Sequence, residues 1–93
     1  MRERKITLIE STVTLKSVLE PRTAAQLVQT ASKYGSRISL RLDEKTANAK
    51  SIMGIISMQL TNGSALTITA DGPDAETAVK ELSGFLRGDI PQG

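Results

Sequence analysis

Strict alternation of apolar and polar residues predicts strands in two stretches of the chain. Every second residue is apolar in residues 37–42 and again in residues 66–70, as expected where one face of a sheet is buried. The pair Asp43-Glu44 offers a turn after the first stretch, and residues 45–49 can return antiparallel to it. The pattern therefore predicts a hairpin with one buried side and a separate third strand.

A further run rich in β-branched residues, residues 6–15, changes its apolar phase once. Apolar side chains occupy even positions up to Leu8 and odd positions from Ile9 onward. Because side chains alternate between the two faces of a strand, this slip indicates one of two arrangements. Either a bulge lies near Ile9 and Glu10, or only one half of the run is the true strand and residues 1–10 contain an N-terminal strand extension.

Apolar residues recur at helical spacing between residues 23 and 34 and predict an amphipathic helix there. Pro21 suits the first turn of this helix because the missing N–H of proline would be unpaired at that position, which puts Glu20 at or next to the N-cap. Gly35 is expected to close the helix at the C′ position. The apolar stripe consists of Ala24, Leu27, Val28, Ala31 and Tyr34.

A short helix capped by Ser51 is predicted for the segment that follows the hairpin. Helical spacing assigns one set of its side chains to the interior, whereas Met53, and less clearly Met58, falls on a different face. Gly54 lowers helix propensity by about 1 kcal/mol relative to alanine, which indicates a close approach by a neighbouring element or partner. The inward set is Ile52, Ile55, Ile56 and Leu60.

The last predicted helix begins after Asp74, which is expected to cap it, and ends before Gly88. Glu76 and Lys80 are spaced for a pair on its outer face. The element order β-α-β-β-α-β-α predicts an α+β fold in which one antiparallel sheet lies under helices, formed by a single domain over residues 1–93. The buried face of the last helix consists of Ala75, Ala78, Val79, Leu82, Phe85 and Leu86.

Composition removes most catalytic chemistry from consideration. The chain has no His and no Cys, so it lacks imidazole bases, thiol nucleophiles, disulfides and the imidazole and thiolate ligands of metals. A net charge of +2, with one Phe and one Tyr, gives neither the positive charge nor the stacking surfaces that direct nucleic-acid binding needs. We therefore expect a protein that is not an enzyme and that uses no metal or cofactor.

The absence of long apolar runs and the uneven distribution of charge bear on the location of the protein and on its partners. No apolar run approaches the roughly 18 residues of a membrane helix, and the charged N-terminus lacks the apolar segment of an export signal, so a cytoplasmic protein is expected. Residues 1–50 hold ten basic and five acidic side chains, whereas residues 71–93 hold two basic and five acidic ones. This split is typical of two solvated faces, or lets the basic half meet an acidic partner.

Two segments carry a resemblance to a known family. Residues 27–34 read Leu-Val-Gln-Thr-Ala-Ser-Lys-Tyr, and residues 48–58 read Asn-Ala-Lys-Ser-Ile-Met-Gly-Ile-Ile-Ser-Met. Together with the element order, they resemble the histidine-containing phosphocarrier protein HPr of the sugar phosphotransferase system and the related Crh, catabolite repression HPr. The resemblance covers about residues 19–88. It implies an HPr-like open-faced β-sandwich, in which three helices cover one side of a four-stranded antiparallel sheet.

The phosphohistidine site of the family is altered in this chain. The family motif reads Gly-Leu-His-x-Arg-Pro, and residues 18–23 align with it as Val-Leu-Glu-Pro-Arg-Thr. Arg22 matches the arginine of the family's active-site loop, whereas Glu20 stands at the former phosphohistidine position. Either Glu20 forms an exposed pair with Arg22, or its charge mimics a permanently modified histidine site and biases the choice of partner. The family's relay to sugar permeases uses imidazole, so sugar phosphotransfer is not expected here.

The second segment contains the family's regulatory serine. By the resemblance, Ser51 is the residue that HPr kinase/phosphorylase phosphorylates, with ATP held by the kinase. A phosphate at the start of a helix is stabilised by unpaired N–H groups, which agrees with this position. The resemblance further implies an exposed apolar patch that contacts the kinase and the catabolite control protein A, a transcription regulator. The matching partner-binding positions are Ile52, Met53, Ile56 and Met58.

Three functions follow from these observations, in order of preference. The first is a Crh/HPr-like regulatory protein, phosphorylated on Ser51, that acts in carbon catabolite repression as a corepressor of the transcription regulator. The second is an unphosphorylated interaction or strand-swapped assembly module. Counting back from Arg22 starts the family's first strand near residue 11, and Crh-like proteins can swap this strand, so the added residues 4–9 favour a homodimer. The third is a phosphocarrier that uses Glu20.

Overall fold

Four strands and three helices follow one another in the predicted order β-α-β-β-α-β-α. The structure, a computed structural model, describes residues 8–16, 19–61 and 63–88. The predicted α+β class is confirmed. The elements are β1 (Leu8–Thr14), α1 (Pro21–Ala31), β2 (Arg37–Leu42), β3 (Lys45–Asn48), α2 (Ile52–Ser57), β4 (Ala65–Asp71) and α3 (Ala75–Arg87).

One antiparallel sheet, with strand order β1-β4-β2-β3, forms a single layer. β4 lies between β1 and β2, and the helices pack on the face to which every second residue of β2 and β4 points. This is the open-faced sandwich that the resemblance implied, with the core between the sheet and the helix layer. The largest fully buried apolar side chains are Leu27, Ile38, Leu40, Ile55, Leu66, Ile68 and Leu82.

β1 contains no bulge among the residues that the structure describes. Its pairing with β4 is continuous in register, starting with Leu8 opposite Asp71. This excludes the first of the two alternatives, a bulge near Ile9. Leu8, Ile9 and Glu10 instead lengthen the strand beyond the start near residue 11 that the family alignment gave. Ile9 packs against the core, which draws the beginning of the strand into the sheet. The rest of the predicted extension, residues 1–7, lies outside the described residues.

α1 begins as predicted and ends earlier than predicted. Glu20 is the N-cap, although its side chain makes no capping hydrogen bond, and Pro21 is the first residue of the helix. The helix ends at Ala31. The N–H of Ser32 still bonds four residues back, but those of Lys33 and Tyr34 bond to carbonyls only three residues back, in a tighter turn. The prediction of Gly35 as the C′ residue is wrong. Its N–H donates instead to Oδ2 of Asp74, at 2.9 Å.

α3 has the predicted bounds and the predicted buried face. All six apolar side chains assigned to its inner face are buried, and Gly88 ends the helix in the left-handed conformation with φ of 86°. Glu76 and Lys80, which the structure describes, are both exposed, as predicted, but no ion pair joins them. α3 has 13 residues, and no helix in the described part of the chain is long and apolar enough to cross a membrane.

Candidate functional site

Ser51 is the N-cap of α2, as the sequence predicted. Its backbone is extended, with φ of −117° and ψ of 110°, and its Oγ accepts a hydrogen bond from the N–H of Gly54 at 3.2 Å. A Cβ atom on Gly54 would lie 3.3 Å from the Cβ of Ala47 in β3, so this glycine permits the close approach that its low helix propensity indicated. The half-buried serine hydroxyl therefore lies at the first turn of a helix that is packed closely on the sheet.

The turn formed by residues 48–51, which we call the serine turn, is held by hydrogen bonds to several parts of the fold. Asn48 accepts two of them: its carbonyl from the N–H of Ser51 at 2.9 Å, and its Oδ1 from the N–H of Lys50 at 2.8 Å. The N–H of Ala49 donates to a carbonyl of β2 at 2.9 Å. The Nζ of Lys50 donates to the carbonyl of Tyr34, after α1, at 2.7 Å. The segment is thus an ordered part of the fold rather than a free loop.

Exposed apolar side chains lie directly after the serine. Met53 is 72% exposed and Ile56 is 40% exposed, while Ile52 is half-buried. The helical pattern assigned Ile56 to the interior, and that assignment is wrong because the six-residue α2 turns only Ile55 fully inward. We call Ile52, Met53 and Ile56 the apolar patch.

Met58 does not belong to the apolar patch. It is only 2% exposed and lies in the core, so its prediction as a partner-binding residue on the surface is wrong. The reason is local. α2 ends at Ser57, and Gln59 adopts a left-handed conformation with φ of 56°, so the chain reverses direction and Met58 turns under the helix.

Glu20 and Arg22 are both exposed at the start of α1. Both residues are described, and no ion pair joins them, which excludes the exposed pair considered from the sequence. The N–H of Leu19 donates to the carbonyl of Leu60 at 3.3 Å, and α1 packs against α2. The former phosphohistidine position and the serine turn therefore belong to neighbouring elements of the helix layer.

A hydrogen-bonded cluster that joins the end of α1 to the middle of α3 was not predicted from the sequence. The Tyr34 hydroxyl and the Lys33 ammonium both donate to the carboxylate of Glu81 in α3, the lysine at 3.0 Å. The hydrogen bond to Glu81 raises the pKa of Tyr34 to about 12, with burial and the negative charge adding to the effect. The same two donors lower the pKa of Glu81. No sequence signal connects these residues because they are 47 or more positions apart.

A second cluster joins the end of α1 to the start of α3. The carboxylate of Asp74 accepts hydrogen bonds from the N–H of Gly35 and from both the N–H and the hydroxyl of Ser36. These bonds, with the Ser36 hydroxyl first, lower the pKa of Asp74. Asp74 was predicted as a cap of α3, but its side chain makes no capping bond. Within the described residues, no group of three or more His, Cys, Asp or Glu is arranged to hold a metal ion.

The fold and the serine turn agree with a known class of protein. A family model described as the PTS HPr component phosphorylation site matches residues 8–87. This defines a domain of the phosphocarrier type, whose members are carrier proteins and not enzymes. The chain belongs to the HPr family, and the resemblance drawn from the sequence is confirmed. It does so without any histidine, so the family's phosphohistidine is absent from the chain.

Relatives include both branches that the sequence resembled. The HPr-like protein Crh of Bacillus subtilis is 37% identical over 78 residues, which cover 84% of this chain and 92% of Crh. The crystal structure of the phosphocarrier protein HPr from Bacillus anthracis superimposes with a TM-score of 0.83 at 39% identity, over 86% of this chain and 98% of that chain. A crystal structure of Bacillus subtilis Crh, described as a swapped, intertwined dimer, has a TM-score of 0.74 at 34% identity, over 98% of this chain and 99% of that chain.

Proposed function

We propose that this chain is a Crh/HPr-like regulatory protein that HPr kinase/phosphorylase phosphorylates on Ser51. The phosphorylated form acts in carbon catabolite repression as the corepressor of a transcription regulator similar to the catabolite control protein A. The observation that carries the proposal is the position of Ser51, a capping serine in an ordered turn with the apolar patch immediately after it. The similarity to Crh supports the same assignment.

Phosphorylation at this position is compatible with the fold. In the reaction the γ-phosphoryl group of ATP moves to Oγ of Ser51, the hydroxyl proton passes to a base of the kinase, and ADP leaves. The product carries a charge of about −1.5 to −2 at pH 7. The N–H of Gly54 already donates to Oγ, and the positive end of the α2 dipole favours an anion there. We therefore expect α2 to stay folded after modification.

The phosphorylated turn would present two kinds of recognition side by side. Met53 and Ile56 supply exposed apolar area, and a methionine side chain adapts readily to a partner surface. The phosphate supplies charged acceptor oxygens for basic side chains of the regulator. Binding then depends on both parts, which is the behaviour required of a corepressor that is switched by phosphorylation.

The test is phosphorylation by the purified kinase. The protein is incubated with HPr kinase/phosphorylase and ATP, and intact mass is measured for the wild type and for Ser51→Ala, with an authentic HPr treated in parallel. We expect a gain of one phosphoryl group in the wild type and none in the variant, followed by regulator binding of the modified form only. No gain in the wild type while HPr is modified would refute the proposal.

A second candidate function is supported by the edge of the sheet. The Crh structure described as a swapped dimer matches nearly the whole chain, and Leu8 of the edge strand β1 is 57% exposed. An assembly module that exchanges β1 between two copies would use these features without phosphorylation. Sedimentation velocity over a range of concentrations tests it, with Leu8→Glu expected to lower the dimer fraction. A monomer at every concentration would remove this candidate.

A further inference from the structure

Lys50, the residue before Ser51, makes a contact that reaches away from the serine turn. Its Nζ donates to the carbonyl of Tyr34 at 2.7 Å, and the lysine is half-buried. The hydroxyl of the same tyrosine donates to Glu81 of α3, which also accepts from Lys33 at 3.0 Å. Two hydrogen bonds, one at the hydroxyl and one at the backbone carbonyl of Tyr34, therefore connect α3 through this tyrosine to the residue beside the candidate phosphoacceptor.

The hydrogen bonds along the turn transmit this contact to the serine. The N–H groups of Lys50 and Ser51 both donate to Asn48, so the two residues occupy one hydrogen-bonded unit. The Oγ of Ser51 is in turn held by the N–H of Gly54. A shift of the Lys50 backbone would therefore move the serine Oγ relative to α2.

We infer that Lys50 is a positioning residue: by tying the serine turn to Tyr34, it holds the Ser51 hydroxyl in the orientation required for phosphoryl transfer. The inference rests on the proposed function. It assigns to Lys50 a role through the Tyr34 carbonyl and not through contact with the kinase. Phosphoryl transfer is sensitive to the position of the attacking oxygen, so the effect is expected in kcat more than in KM.

Three lysine variants test the inference in kinase assays run well below the unfolding temperature. Lys50→Met keeps the length of the side chain but removes its donor, and we expect a loss of roughly ten-fold in kcat with little change in KM. Lys50→Arg keeps a donor and should recover most of the kcat. Lys45→Met is the matched control, because it removes the same charge from an exposed lysine of the hairpin, and it should leave both constants unchanged.

Glu81→Gln separates positioning from direct recognition by the kinase. This substitution weakens the contacts of Tyr34 and Lys33 with α3, and the Tyr34 carbonyl is bonded to Lys50 of the serine turn. If Lys50 positions the serine, Glu81→Gln lowers kcat in the wild type and has no further effect in the Lys50→Met background. If instead Lys50→Met raises KM alone and Glu81→Gln changes nothing, the lysine contacts the kinase and the inference is overturned.

Amide hydrogen exchange gives a readout that does not need the kinase. The N–H groups of Ser51 and Gly54 are hydrogen-bonded, and we expect both to exchange at least about ten-fold faster in Lys50→Met, with the core of β4 unchanged. If the wild type is not phosphorylated, the proposed function fails, and exchange alone decides the positional role of Lys50. Unchanged exchange at both amides would overturn that role whatever the kinase does.

Discussion

Asp74 accepts hydrogen bonds from both the backbone N–H and the hydroxyl of Ser36, 38 residues earlier in the chain. Ser36 is only 1% exposed, so its hydroxyl needs a partner inside the protein, and the carboxylate supplies one. The contact joins the start of α3 to the loop between α1 and β2. It therefore fixes how the two longer helices lie on the sheet.

We expect Asp74→Asn to lower the midpoint of denaturant unfolding and to change its pH dependence. The folded-state pKa of Asp74 lies below the ordinary value of 3.8, so the ionised carboxylate stabilises the fold above that pH and the contribution is lost as pH falls through the folded pKa. The difference between wild type and variant should shrink on acidification. Asp71→Asn, at an exposed aspartate of β4, is the control and should lower the unfolding midpoint less than Asp74→Asn does at neutral pH. Equal midpoints for Asp74→Asn and wild type at neutral pH would contradict the assigned role.

Gly72, directly after β4, allows the backbone to pass close to the same loop. A Cβ atom at this position would lie 2.7 Å from the Cα of Ser36, and φ is 155°. Gly72→Ala is expected to destabilise the protein by about 1–3 kcal/mol because backbone atoms must move apart. Gly35→Ala is the matched control: its added Cβ meets no atom within 4 Å, so a change within about 0.5 kcal/mol is expected. Chemical denaturation of both variants gives the comparison, and equal stabilities would refute the steric argument.

The hydrogen bond between Tyr34 and Glu81 predicts an alkaline titration that can be read directly. Tyr34 is the single tyrosine of the chain, so phenolate absorbance reports its ionisation alone. We expect a midpoint at a pKa of about 12 in the folded protein, and a return toward 10.0 in Glu81→Gln. The raised pKa means that the neutral tyrosine contributes to the free energy of unfolding. This contribution is fully present below the ordinary pKa of tyrosine and is lost as pH rises through about 12. Circular dichroism at each pH confirms that the fold persists, and a midpoint near 10.0 in folded wild type would contradict the prediction.

Truncation of Met53 and of Met58 should affect different properties, since one side chain is exposed and the other is in the core. Met53→Ala removes an exposed side chain, so stability should stay within about 0.5 kcal/mol of the wild type. If the apolar patch binds the regulator, the affinity of the phosphorylated variant should fall by roughly ten-fold. Met58→Ala leaves a cavity in the core and should cost about 2–5 kcal/mol.

The control for the binding arm is Leu8→Ala, which removes an exposed apolar side chain from β1. It should leave regulator affinity unchanged. Titration calorimetry measures affinity and denaturant unfolding measures stability. Unchanged affinity for phosphorylated Met53→Ala would remove this side chain from the proposed interface.

Periodicity predicted the parts of the fold that depend on one buried face. The alternation in β2 and β4 and the stripe of α3 gave elements that agree with the structure within one or two residues. The end of α1 was missed because Gly35 looks like a helix terminator. In the folded chain, residues 33–36 bond instead to Glu81 and Asp74, and such long-range bonds leave no local pattern.

The candidate site was predictable to a similar degree. Ser51 was found as a cap because a serine before an apolar helical run is a local signal. Helical spacing failed after Ser57, since Met58 lies beyond the end of α2 and the left-handed Gln59 changes the direction of the chain. The bond from Lys50 to Tyr34 had no signal at all, because it joins a flexible side chain to a backbone carbonyl 16 residues away.

The place of β4 in the sheet has a consequence for protein synthesis. β1 is made first, yet its only neighbour in the described sheet is β4, the second-to-last element to leave the ribosome. Among the described strands, none that emerges before residues 65–71 pairs with β1. The β1–β4 pairing is therefore one of the last parts of the sheet to form during synthesis. Under the second candidate function, this late step is where β4 of another copy competes with the chain's own β4 for β1.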